Sequence, residues 1–143
     1  MRTSSRILLS LITAVSVIPA ANSAFAVARD VPALSIRWDC GKCTHNPKVI
    51  ELLEQTYADA AAKEGVKVSS GVKAEVVITD FRQRHAAMRL LTGAMSGGDR
   101  LQVTVRYQGK MFTAKDDAYN VVKGANWTIR NVGKSVYEQL AAR

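Results

Sequence analysis

Hydrophobic and polar positions change their spacing several times along this chain, and each change marks an element. The first stretch has no helical or strand period. Its apolar run Ile7–Ile18 (ILLSLITAVSVI) follows Arg2 and Arg6 and is broken by Pro19. Ala24-Phe25-Ala26 then offers small residues at the two positions signal peptidase reads. The run is about 12 residues long, against the roughly 20 a membrane-spanning helix needs. A cleavable signal peptide is therefore expected over 1–26, with the mature protein starting at Val27 or Arg29 and localised to the periplasm or secreted. The first cysteine, Cys40, lies far beyond the run, so no lipid attachment at the cleavage point is expected.

After a leader over 27–32, Leu34, Ile36 and Trp38 alternate with polar neighbours, which predicts a first strand. Cys40 to His45 forms a turn, with Asn46 as N-cap and Pro47 as first helical residue. Ile50, Leu53, Tyr57 and Ala61 then share a helical face, and Gly65 is the stop. Val66–Ser70 predicts a short strand and the β-branched run Glu75–Thr79 a buried central one. Arg82–Met95 fits a helix with Met88, Leu91 and Met95 on one face, or an irregular strand and loop. Gly97-Gly98-Asp99 is a turn.

Leu101, Val103, Val105 and Tyr107 alternate strictly with polar residues, the mark of a half-buried strand. Gln108-Gly109 reverses the chain into a hairpin partner, Lys110–Ala114. From Ala118 to Ala142 a long helix is predicted, with Val122, Ala125, Ile129, Val132, Val136 and Leu140 as its buried stripe. The expected fold class is α+β: one two-layer domain over 33–143, a mostly antiparallel sheet covered on one face by the early helix and the long C-terminal helix.

Composition narrows the class of partner. Cleavage after Ala26 leaves 117 residues, which suits a single core. With Arg2 and Arg6 removed, 18 basic residues face 12 acidic ones, a formal net charge of +6. That balance favours anionic partners. It is also an ordinary solubility charge, since small domains commonly carry about 2 to 8. The sharpest local concentration is Arg82, Arg84, Arg89 and Arg100, a candidate anion-binding cluster with His85 among it and Asp99 its one acid. It lacks the aromatic interleaving that base stacking on nucleic acid needs. A solvated loop is the simpler account of it. No nucleophile–base spacing, carboxylate pair or phosphate-loop glycine pattern stands out, so no catalytic residue is expected outside the cysteines.

The two cysteines, Cys40 and Cys43, are three apart and destined for an oxidising compartment, which predicts a disulfide. A mainly structural bond is expected, contributing about 2 kcal/mol by chain entropy. The alternative is a redox pair, since a thiol near a helix N-terminus and Lys42 can have its pKa lowered. Cys40, Cys43, His45 and His85 could in principle complete a tetrahedral zinc site. Their spacing matches no ordinary finger, and Thr44 between Cys43 and His45 breaks the haem-attachment pattern. Neither a metal nor a cofactor is expected.

Two resemblances attach to these residues. Cys40-Gly41-Lys42-Cys43, after a strand and before a helix, resembles the thioredoxin active site. That resemblance implies a periplasmic thiol–disulfide oxidoreductase with Cys40 attacking and Cys43 resolving. The chain departs from it in having no proline before Leu101, Asp39 between Trp38 and the first cysteine, and a helix that starts after the motif. The stretch RHAAMRLLTGAMSGGDRLQVTV (Arg84–Val105) is similar to a group of bacterial envelope proteins and lipoproteins. Their small α/β domain resembles that of the curli-secretion lipoprotein. This second resemblance implies an exported, non-enzymatic domain that binds or helps assemble an envelope component, whether a protein or an anionic group, and it is the leading functional expectation.

Overall fold

The computed structural model describes residues 30–85, 87, 90, 91, 97–119 and 123–143. The signal peptide expected over 1–26, together with Met88, Arg89, Gly93, Met95 and Val122, lies outside these. Among the described residues, four strands and two long helices run in the order β1 (Val31–Trp38), α1 (Pro47–Lys63), β2 (Val68–Arg82), β3 (Asp99–Tyr107), β4 (Lys110–Ala118) and α2 (Ala125–Ala141). The strands form one sheet in the order β1-β2-β3-β4. β1 and β2 are parallel, joined through α1; β2–β3 and β3–β4 are antiparallel. The fold is α+β, with the sheet packed against its two helices, as expected.

Alternation sets the inner face. Ala74, Val76 and Ile78 of β2, Leu101, Val103 and Val105 of β3, and Ala114 of β4 are all buried. Against them lie Leu53, Tyr57 and Ala61 of α1 and Ile129, Val132, Val136 and Leu140 of α2. α2 covers β3 and β4, while α1 lies beside it toward β1. Gly133 makes the close helix contact possible. A Cβ there would stand 3.0 Å from Thr56 Cβ and 3.1 Å from the Leu53 carbonyl oxygen. No helix of the described residues is long and apolar enough to cross a membrane.

Several elements differ from the sequence expectation, each for a tertiary reason. β1 starts at Val31, inside the expected leader, because the Val31 N–H donates to the Lys67 carbonyl and the buried Tyr57 hydroxyl donates to that of Pro32. Val49 is buried on α1, and Ile50 only partly so. The two short segments expected before Thr79 are one strand. Its pairing with β1 slips between Pro32 and Ala33, so Ser70, Gly71 and Val72 form an irregularity rather than an end. Arg82 closes β2 and the backbone is helical at Ala87, Leu90 and Leu91. Leu91, expected on a buried face, is 81% exposed. β4 runs through Ala118, where a helix was expected to start. Its acids are accommodated by partners: Asn131 donates to Asp116, and Arg100 pairs with Asp117. Gly124 is then the N-cap of α2 instead of an interior helical residue.

Candidate functional site

The cysteine turn is built by the end of β1. The Asp39 N–H donates to the Ile78 carbonyl, which keeps the chain beside β2 for one residue past Trp38. Gly41 then takes φ 60°, a left-handed conformation that glycine reaches without penalty. The Cys43 N–H donates to the Cys40 carbonyl at 3.3 Å and closes the turn. Cys40 and Cys43 are disulfide-bonded, with Cα atoms 5.6 Å apart. Both are partly buried, and Cys43 packs against the edge of the core. Helix α1 starts at Pro47, after the motif, with Asn46 Oδ1 accepting from the Lys48 N–H.

Aromatic packing orders the rest of the turn. The Trp38 indole stacks on the His45 imidazole, centroids 4.8 Å apart and planes 17° from parallel. Its other neighbour is Phe81, edge-on at 5.8 Å. Beside Cys43 opens a cleft of about 510 Å³, lined by Lys42, His45 and Phe81 and by Arg82 and His85 of the chain leaving β2. Asn46 Nδ2 donates to Gln83 Oε1 across it at 3.4 Å. Asp39, next to the first cysteine, has its carboxylate 3.5 Å from the Arg37 guanidinium. Of the four residues weighed as metal ligands, Cys40, Cys43 and His45 bring their ligand atoms within 4.8 Å of one another. His85 lines the same cleft outside that group.

The candidate anion-binding arginines do not form one cluster. Arg84 is only 5% exposed, so it is withdrawn from that role. Its backbone N–H donates to Asp99 Oδ1 at 2.6 Å and its Nη2 donates to the Ala118 carbonyl at 3.1 Å. Asp99 is fully buried, and a buried carboxylate needs charged and hydrogen-bonding partners. Arg84 supplies them, with Nη2 3.8 Å from Asp99 Oδ2. Arg100 stands on the other face of the sheet, 2.6 Å from Asp117 and 3.4 Å from Asp80. The bond to Asp117 is the main cause that raises its pKa. Arg82 is its cross-strand partner. Arg89 lies outside the described residues.

What the topology assembles instead is a sheet face that no described element covers. Strand register places Arg37, Lys73, Arg82, Arg100, Arg106 and Lys115 on it, against Glu75, Asp80 and Asp117, with Asp39 beside Arg37 just past the end of β1. Arg37 donates to Glu75 at 2.9 Å, and Arg106 reaches the same carboxylate at 4.0 Å. Thr79 and Gln102 hydrogen-bond each other beside the bulge in β2. Val77 is the buried apolar residue among them. Sequence reasoning noted the polar half of β3 but did not add Arg37, Lys73 and Lys115. The alternation of each strand carried that signal, yet which strands stand side by side is a property of the assembled sheet. Compared with known proteins, the chain matches no protein-family model, and no curated protein shows significant similarity to it.

Proposed function

We propose that this protein is an exported, non-enzymatic α+β domain that binds an anionic component of the cell envelope through the open face of its sheet. The observation that carries the reading is that face, where six cations stand against four acids, Asp39 beside Arg37 included, with no described helix over them. Neighbouring strands are about 4.8 Å apart, so cations on adjacent strands can meet successive phosphate or carboxylate groups of a lipid or polysaccharide surface. Contacts of this exposed kind are screened beyond about 10 Å at 0.1 M salt, so binding should weaken steeply as salt rises. The signal-like start supports delivery to that surface. The test uses protein recovered from the periplasm, its mass giving a start at Val27 or Arg29. Flotation with phosphatidylglycerol vesicles, and retention on an anionic polysaccharide, are compared with neutral phosphatidylcholine vesicles. Binding to at least one anionic probe and its loss in Arg106→Glu/Lys115→Glu are expected. Retention of Met1 in a cytoplasmic product, or equal behaviour toward anionic and neutral probes, refutes the reading.

The cleft beside Cys43 favours a second reading, a thiol–disulfide oxidoreductase using Cys40 and Cys43. Disulfide reduction turned over by the wild type and abolished in Cys40→Ser would put it first.

A further inference from the structure

We infer that the reduced Cys40–Cys43 pair and His45 form a redox-gated site for a zinc ion. Three observations converge on it. The ligand atoms of Cys40, Cys43 and His45 already lie within 4.8 Å of one another. His45 is held there by its stack on Trp38, and Trp38 is in turn braced by Phe81. The cleft at Cys43 leaves room for an incoming ion and a fourth, solvent ligand. Tetrahedral zinc at about 2.3 Å from sulfur and about 2.0 Å from nitrogen needs ligand atoms about 3.5 to 3.8 Å apart. The two sulfurs therefore separate on reduction, and the imidazole closes by about 1 Å, within reach of side-chain rotation. Two thiolates and an imidazole match zinc better than magnesium or calcium, which take oxygen ligands.

The disulfide state cannot bind, because its sulfurs are neutral and joined. A dithiol reductant opens it: one thiolate attacks a cysteine sulfur, the Cys40–Cys43 bond breaks, and a mixed disulfide forms. The reductant's second thiolate then displaces the remaining cysteine sulfur. The reductant leaves as its cyclic disulfide, having passed two electrons and two protons to the pair. Zinc displaces the two thiol protons to solvent as it binds, since the thiolate is the ligand.

Cobalt(II) is the spectroscopic probe, added to the full mature chain reduced with a water-soluble phosphine, and to the same chain left oxidised. The reduced protein should take up one cobalt per chain with sulfur-to-metal charge-transfer and tetrahedral ligand-field bands, and zinc should displace it. The oxidised chain, which needs no substitution and so serves as a folded control, should show neither band. His45→Ala should weaken binding by at least about tenfold, since losing a ligand costs no less than losing an outer-shell partner. His85→Ala should keep the affinity. In a Trp127→Phe background, cobalt should quench the remaining Trp38 fluorescence, because His45 stacks on that indole. Cobalt bands that survive oxidation, an unchanged affinity in His45→Ala, a loss confined to His85→Ala, or binding without Trp38 quenching would each overturn the ligand set.

Discussion

Gly133 is where the two helices press closest, and Gly133→Ala sets two effects against each other. Alanine favours a helix interior over glycine by about 1 kcal/mol. Taken alone, that makes the variant more stable. Against it stands the space the new methyl group would enter. Its carbon would lie 3.0 Å from Thr56 Cβ and 3.1 Å from the Leu53 carbonyl oxygen, with Thr56 Cγ2 at 3.3 Å. Carbon pairs attract best at about 3.5 to 4.0 Å, so the contact with Thr56 overlaps by roughly 0.5 to 1 Å. Neither obstacle is the tip of a flexible side chain. One is a backbone oxygen of α1 and the other is bonded directly to its backbone, so relief requires α1 and α2 to move apart and loosen the Tyr57–Tyr137 contact. Overpacking of this kind costs about 1 to 3 kcal/mol. The clash wins: the expected net loss is about 1 kcal/mol, or a melting temperature lower by about 5 °C for a domain of this size. Gly133→Val, with a larger group in the same space, should lose more. Urea and thermal unfolding followed by circular dichroism read both variants. A Gly133→Ala protein as stable as the wild type, or more so, would show that the helices yield freely and that the close approach is not a constraint.

Two further outcomes follow from buried polar groups. Asp99→Ala removes the partner of a buried arginine and should cost about 3 to 5 kcal/mol, while Asp99→Asn, which can still accept from the Arg84 N–H, should cost less; urea midpoints in the reverse order would contradict the pairing. Burial raises the pKa of Tyr57, whose hydroxyl donates to the Pro32 carbonyl at 2.7 Å, and burial followed by the bond to Glu64 raises that of Tyr137. The folded state thus holds these protons more tightly than the unfolded chain, so their stabilising effect is complete below the unfolded value of about 10 and is lost as pH rises beyond it. Tyr57→Phe should flatten the fall in stability above pH 10, and an equally steep fall in the variant, read by chemical denaturation across that range, would refute the assignment.

How far the site could be read beforehand differs residue by residue. The turn at Cys40–Cys43 and the capped start of α1 were legible because they are local: a glycine between two cysteines and an Asn-Pro pair act within a few residues. The stack of Trp38 on His45 was not, since the two are seven positions apart and meet only because the turn folds back along β1. Arg84 looked like one more exposed cation in a basic stretch, because its acid, Asp99, is 15 residues away and becomes buried only when β3 forms. Leu91 fell on the expected apolar face of a helix, but periodicity marks a face without supplying anything to cover it.

By itself, the sequence determined the pieces whose period depends on chain geometry alone. The alternation from Leu101 to Tyr107 became the inner and outer faces of β3, and the spacing of Ile129, Val132, Val136 and Leu140 became the buried stripe of α2. A two-residue period and a 3.6-residue period need no partner to be visible. Only the tertiary structure decided what those faces meet. It set β1 beside β2 in parallel, continued β2 through Ser69-Ser70-Gly71, and carried β4 on through Asp116 and Asp117. Asp is a poor strand former, and there its hydrogen-bonding partners Asn131 and Arg100 come from elements distant in the chain. The same assembly gathered cations from all four strands onto one face that no described element covers. Local pattern specifies how each segment presents its side chains, and the energy of burying one segment against another decides which of them remain on the surface.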